Sequence, residues 1–107
     1  MKTAELTGAA LDGAVAHCVE WSKKFPIFVD GTPASKGNYS TNWALGGAII
    51  EREWIDLHCV NDALWEAEIN ASAYHNRKNG PTPLIAAMRC YVTSKLGNEV
   101  DIPKELQ

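Results

Sequence analysis

No stretch of this sequence is apolar for long enough to cross a membrane, and cysteine is scarce. Cys18, Cys59 and Cys90 are the three cysteines among 107 residues, whereas a membrane-spanning helix needs about 20 mostly apolar residues in a row. An odd number of widely spaced cysteines does not form a disulfide framework, so we expect reduced thiols. The segment from Met1 to Glu5 does not begin a secretory signal. These absences predict a soluble cytoplasmic protein without a membrane partner.

Positive charge is also in short supply. Ten lysines and arginines stand against 13 aspartates and glutamates, which gives a net charge of −3 and a pI near 5.5. Proteins that coat nucleic acids need clustered cations to neutralise the phosphates. We therefore rank direct nucleic-acid binding last, although His75, Arg77 and Lys78 form one small basic cluster.

The common catalytic motifs are missing as well. The chain has no glycine-rich phosphate loop, no serine nucleophile elbow and no HExxH motif. Two histidine–cysteine pairs occur, His17-Cys18 and His58-Cys59. Zinc needs four converging ligands, and neighbouring residues on a strand point to opposite faces. We therefore predict thiols in structural positions, no metal, no cofactor and no enzymatic activity.

The composition predicts one globular domain over residues 1–107. Hydrophobic residues make up 46% of the chain and charged residues 21%, which suffices to build a core. A first long helix is predicted over residues 7–24. Its apolar face at helical spacing consists of Leu11, Val15, Cys18 and Trp21. A second long helix is predicted to begin at the N-cap Thr82, with Pro83 in its first turn, and to end at Gly97.

The middle of the chain is predicted to form a short helix followed by a hairpin. Gly46 and Gly47 are expected to break any helix there, so that only Ala48–Glu53 is helical. The runs 54–60 and 64–70 alternate apolar and polar residues and are predicted to pair as antiparallel strands. Loops are predicted at residues 30–39 and 71–80. The predicted fold class is α+β, with two main helices and a short helix packed on a small antiparallel β-sheet.

Arg89 is the charged residue whose position is most informative. On a helical wheel it falls inside the apolar stripe of the last helix. That stripe consists of Ile85, Met88, Val92 and Leu96. A guanidinium in such a sector needs a partner, because an unpaired buried charge is costly. One interpretation is a structural ion pair with Glu51, Glu53 or Glu66. The other is an anchor for an anionic ligand, since the guanidinium fork matches phosphate and carboxylate.

The segment from Tyr39 to Trp43 is the second candidate site. Two aromatic side chains flank the hydroxyls of Ser40 and Thr41, an arrangement that can stack on a base or a sugar. The N–H groups at the start of a helix at Ala48 would be available to an anion. The alternative is a packed surface loop in which Trp43 fills the core.

Three segments carry a resemblance to a known family. They are residues 2–12, residues 39–53 with the sequence YSTNWALGGAIIERE, and residues 80–92 with the sequence GPTPLIAAMRCYV. Together these segments resemble the NinX-like family of small proteins from tailed phages and prophages. The resemblance implies a phage accessory protein that acts in the cytoplasm of an infected bacterium. Relatives commonly have one or two aromatics where this chain has Gly13-Ala14, and many have proline in place of Ala48, so an altered pocket is expected.

The preferred functional hypothesis is a phage anti-defence protein that sequesters a small, anionic, nucleotide-derived immune signal of the host without catalysis. The predicted ligand-binding residues are Tyr39, Ser40, Thr41, Trp43, Arg52 and Arg89. The aromatics would stack on a base, the hydroxyls would contact a sugar, and the arginines would neutralise phosphate. Because a 107-residue monomer has little room to enclose such a ligand, we expect the site at a homo-oligomer interface.

Two other functions remain open at this point. The chain could inhibit or adapt a host enzyme by protein–protein contact, through an exposed sheet face or through residues 30–43. A hydrolase acting on the same kind of signal would depend on Glu66, on Glu68 or on a metal.

Overall fold

The computed structural model describes residues 1–21, 28–29, 32–33, 37–69 and 76–102. The helices are α1 (Gly8–Trp21), α2 (Trp43–Glu53) and α3 (Pro83–Leu96), preceded by a 3₁₀ turn (Thr3–Glu5). The strands are β1 (Phe28–Val29), β2 (Thr32–Pro33), β3 (Ile55–Asn61), β4 (Leu64–Ile69) and β5 (Asn76–Gly80). The predicted α+β class is thereby confirmed. None of the helices in the described ranges is both long and apolar enough to cross a membrane.

The main sheet is antiparallel and three-stranded, with β4 in the centre between β3 and β5. The predicted hairpin is confirmed, and its register places Leu57 opposite Ala67 on the face that packs on α3. The loop predicted over residues 71–80 was wrong for β5, which pairs with β4 over its whole length. This strand contains no aliphatic or aromatic residue, so its pairing depends on the tertiary partner and not on local propensity.

A second, two-stranded sheet corrects another loop prediction. β1 and β2 pair antiparallel, with Val29 opposite Thr32. β2 lies within the predicted loop over residues 30–39. The end of the first predicted helix, residues 22–24, lies outside the described residues, and α1 extends to Trp21 in the part that is described.

α3 is the central element of the fold. Its predicted ends are confirmed: the Thr82 hydroxyl accepts a hydrogen bond from the Ile85 amide at 3.1 Å, and Gly97 has a positive φ of 86° at the C-cap. The helix packs against β4 and β5 as well as against α1 and α2. The buried residues of α3 are Leu84, Ala86, Ala87, Met88, Arg89, Cys90, Tyr91, Val92 and Thr93. The helix is therefore enclosed on nearly all sides and not along one stripe.

α2 corrects the prediction of a helix break at Gly46-Gly47. The helix runs through both glycines from Trp43, and the Asn42 side chain caps it by accepting a hydrogen bond from the Ala44 amide at 2.9 Å. A Cβ atom on Gly46 would lie 2.5 Å from Leu84 Cδ2 and 2.6 Å from the Tyr39 carbonyl oxygen. The glycine therefore permits close approach of α2 to α3 and to the preceding turn.

We predict that Gly46→Ala lowers the free energy of unfolding by about 2 kcal/mol, because the added methyl group meets a backbone oxygen that has no room to move. Gly47→Ala is the matched control in the same helix. Its Cβ would lie at an ordinary 3.7 Å from Trp43 Cε3, and the change is expected to be neutral or to stabilise by up to about 1 kcal/mol. Urea denaturation measures both; equal effects would contradict the packing described for Gly46.

Candidate functional site

Arg89 is a structural residue that joins two distant parts of the chain to α3. Its side chain is inside the fold, where Nε donates to the Leu6 carbonyl at 2.8 Å and Nη1 donates to the Asn79 carbonyl at 2.9 Å. The residue is only 8% exposed, and burial lowers the pKa of the guanidinium. In the described part of the chain no carboxylate forms a salt bridge with it. Its partners in the described part of the chain are thus backbone carbonyls, and the predicted ion pair with Glu51, Glu53 or Glu66 does not form there.

Arg52 is engaged at the junction of α2 and α3. Its Nη2 donates to the Tyr91 hydroxyl at 3.1 Å, and its Nε lies 3.3 Å from Glu53 Oε2. Glu53 also pairs with Lys95 at 3.3 Å. Burial raises the pKa of Tyr91 to about 12, so the phenol stays protonated. The predicted phosphate ligand Arg52 is therefore already paired with a carboxylate.

Tyr39 and Ser40 form the base of the turn before α2. Tyr39 is completely buried, and Ser40 is nearly so. The Ser40 amide donates to Asp12 Oδ1 at 2.8 Å, which fastens the turn to α1. The predicted contacts of these two residues with a ligand are not available in this arrangement, because both side chains lie beneath the surface.

Thr41 and Trp43 remain at the surface, directly above that base. Thr41 is exposed, and Trp43 is 56% exposed although it is the first residue of α2. A Cβ on Gly47 would contact the Trp43 ring, so the indole leans along the helix. Trp43 does not fill the core, as one interpretation held. We call Thr41, Trp43 and Gly47 the Trp43 corner.

The six predicted ligand-binding residues do not form one pocket. Tyr39, Ser40, Thr41 and Trp43 lie within residues 39–43, and two of them face outward. Arg52 lies at the opposite end of α2, and Arg89 points to β5. The anion site expected at Ala48 is also corrected, because α2 begins at Trp43 and the Ala48 amide lies inside the helix.

A cavity of about 490 Å³ lies beside α1, away from the residues predicted to bind a ligand. It is lined by Gly13, Ala14, His17, Leu96, Glu99, Val100, Asp101 and Ile102. Gly13 and Ala14, where the family resemblance led us to expect an altered pocket, belong to the wall of this cavity. The carboxylates of Glu99 and Asp101 at this site disfavour a phosphate, because like charges repel each other. The sequence feature that could have pointed to this cavity is Gly13, a glycine inside the first predicted helix.

Trp54 was predicted to lie in the hairpin, and the structure places it outside both strands. It is the C-cap of α2 with a left-handed φ of 54°. Its side chain is 85% exposed, the highest value among the exposed large hydrophobic residues described. No feature of the local sequence predicts this exposure.

The outer face of the sheet carries paired charges. Arg77 Nε lies 3.4 Å from Glu66 Oε1, and Arg77 Nη2 lies 3.5 Å from Glu68 Oε2. Arg77 is therefore paired with two carboxylates of the neighbouring strand. This pairing disfavours nucleic-acid binding by the basic cluster. It also disfavours a catalytic role for the two glutamates.

The cysteines are free thiols in two different environments. Cys18 and Cys90 are buried and Cys59 is exposed. Burial raises the pKa of Cys18 and that of Cys90 to about 11. Within the described ranges no group of three or more histidine, cysteine, aspartate or glutamate residues is placed to hold a metal ion.

A comparison with models of known protein families finds one that matches most of the chain. The model described as Bacteriophage P22, NinX matches residues 2–95, which run from the 3₁₀ turn to the last turn of α3 and include the Trp43 corner. No curated protein matches the chain.

We predict that Arg89→Leu lowers the free energy of unfolding by about 3 kcal/mol, because the buried Leu6 carbonyl and the partly buried bond to the Asn79 carbonyl lose a charged donor. Arg77→Leu is the control on the surface, where an exposed pair contributes about 1 kcal/mol at most. Denaturant titration followed by circular dichroism compares the two. A loss below about 1 kcal/mol for Arg89→Leu would contradict its role as a buried link.

We predict that iodoacetamide modifies one thiol of the folded chain at pH 8. Cys18 and Cys90 are shielded, and with a pKa of about 11 each is roughly 0.1% thiolate at that pH. Intact-mass spectrometry is expected to show a single adduct, none in Cys59→Ser, and three for the native sequence in denaturant. Rapid modification of two or three thiols in the folded protein would contradict the burial described.

Proposed function

We propose that this chain, which belongs to the bacteriophage P22 NinX family, is a phage accessory protein that blunts host defence by binding a host protein. In this proposal it acts in the cytoplasm of the infected bacterium, as an inhibitor or adaptor and without catalysis. The Trp43 corner is the binding surface. The observation that carries the proposal is an indole held 56% exposed at the first residue of α2.

The Trp43 indole stands on a rigid base. Asn42 caps α2, the Ser40 amide is bonded to Asp12, and Tyr39 is packed in the core beneath. A side chain presented in this way loses little conformational entropy on binding. Tryptophan anchors of this kind are enriched among the residues that contribute most to protein–protein affinity.

Charge favours a protein over an anionic ligand as the partner. The Trp43 corner itself carries no charged side chain. Arg89 donates to backbone carbonyls and Arg52 is paired with Glu53. A phosphate needs cationic or N–H donors, whereas an apolar pocket on a protein needs only the indole.

A small nucleotide-derived immune signal is the second candidate partner. The flat exposed face of Trp43 is suited to stacking on a base, which typically contributes about 1–3 kcal/mol. The Thr41 hydroxyl lies two residues away on the same exposed turn. Sequestration would leave the captured signal chemically intact.

We predict that Trp43→Ala abolishes partner binding while the fold persists, because the side chain is an exposed anchor. The matched control is Trp54→Ala, which removes a second highly exposed indole of the described residues, at the opposite end of α2. Immobilised wild-type and variant chains are exposed to host lysate, and retained proteins are quantified by mass spectrometry. A host protein retained by wild type and Trp54→Ala, but reduced at least ~30-fold by Trp43→Ala, is the expected result.

A thermal-shift panel separates the second candidate from the first. Cyclic dinucleotides, cyclic ADP-ribose isomers and common nucleotides are tested on the same three proteins. A ligand at 100 times its Kd adds about 2.7 kcal/mol of stability. A shift lost in Trp43→Ala, with the ligand recovered intact, would favour sequestration. Recovery of a chemically altered ligand would contradict both proposals. Both would also be contradicted if all three proteins retained the same host proteins and showed the same thermal shifts.

A further inference from the structure

β3 is an edge strand without a lysine or a proline to block pairing along its regular part. β4 pairs with one side of β3, and no described strand pairs with the other. Natural edge strands are commonly protected by lysine or proline, and Ile55–Asn61 contains neither. Pairing with β4 is regular from Ile55 to Cys59 before the register shifts. A regular segment of backbone is therefore open to a further strand.

Exposed apolar side chains stand at both ends of this regular segment. Trp54 precedes it with 85% of its surface exposed, and Val60 follows it with 45% exposed. Between them, Asp56 and His58 are also exposed. An added strand along this edge would shield both apolar residues from water, which is favourable in proportion to the area buried.

We propose that β3 pairs antiparallel with β3 of a second copy of this chain, about a two-fold axis at Leu57. The two three-stranded sheets would join into one sheet of six strands. This interaction surface is separate from the Trp43 corner and does not rest on the proposed function. It gives the homo-oligomer expected from the sequence a defined interface.

Self-complementarity of the segment identifies a second copy as the occupant. With Leu57 on the axis, Asp56 lies opposite the partner's His58, so that an imidazole N–H meets a carboxylate. A cross-strand pair of this kind is stabilising. Trp54, the cap of α2 that directly precedes the strand, comes next to the partner's Val60 at the end of the paired segment, so that apolar surface also meets apolar surface.

Neighbouring registers do not have this complementarity. An axis at Asp56 would place the two carboxylates directly opposite each other, which is destabilising. An axis at His58 would place Asp56 opposite the partner's Val60 and leave Trp54 beyond the paired length. A slip of one residue in the pairing would set the α3-facing side of one strand against the outward side of the other.

Disulfide trapping tests both the dimer and its register. In a Cys59→Ser background, Asp56→Cys and His58→Cys are prepared as separate proteins. Directly opposite residues have Cα atoms about 5 Å apart, within disulfide range. Two copies of the same variant would place their cysteines roughly 8 Å apart, which is too far. The expected result under mild oxidation is a covalent dimer in the equimolar mixture and none in either variant alone.

Light scattering of the native chain provides a measurement without substitutions. A dimer has twice the 11.7 kDa mass of the chain. Trp54→Ala is expected to weaken dimerisation about tenfold, and Trp43→Ala is expected to leave it unchanged. A monomer at about 100 μM would overturn the proposal. So would equal cross-linking in the mixture and the single variants, or a weaker dimer only in Trp43→Ala.

Discussion

The buried guanidinium of Arg89 is the constraint around which the rest of the structure is arranged. It extends from the central helix to the carbonyl of Leu6 near one end of the chain and to that of Asn79 in the last strand. Both acceptors are main-chain atoms that water would otherwise satisfy. One side chain thereby closes the N-terminal turn and β5 around α3. This also explains why a charged residue is tolerated in a helix that is enclosed on nearly all sides.

The parts of the fold that depend on local chemistry were predictable from the sequence. Thr82, Pro83 and Gly97 mark the ends of α3 by capping rules, and alternation between residues 54 and 70 predicts the hairpin. Tertiary context decided the rest. Gly46 does not break α2. The absence of a side chain at this position lets the helix pack closely against Leu84 and the Tyr39 carbonyl. β5 forms because a neighbouring strand offers both hydrogen bonds and two carboxylates for Arg77.

The candidate site shows the same division. The motif from Tyr39 to Trp43 spans a turn and the first residue of α2, and residue type alone does not say which of its aromatic side chains faces water. Tyr39 packs inward and Trp43 outward, since they lie on opposite sides of the cap at Asn42. The partner of a buried arginine is equally a tertiary fact. A backbone carbonyl leaves no trace in the sequence, and the acceptors of Arg89 are carbonyls and not the predicted carboxylates of Glu51, Glu53 or Glu66.

The backbone of Trp54 separates the stability of the chain from the character of its surface. A non-glycine residue in the left-handed region costs about 1 kcal/mol or more, and asparagine or glycine would adopt the same φ of 54° with less strain. The amide of Trp54 offsets part of this cost by donating to the Glu51 and Ile50 carbonyls, but any residue except proline has that amide. An indole that is 85% exposed offsets little of the cost by burial. The stability of the isolated chain therefore gives no reason for a tryptophan at this position.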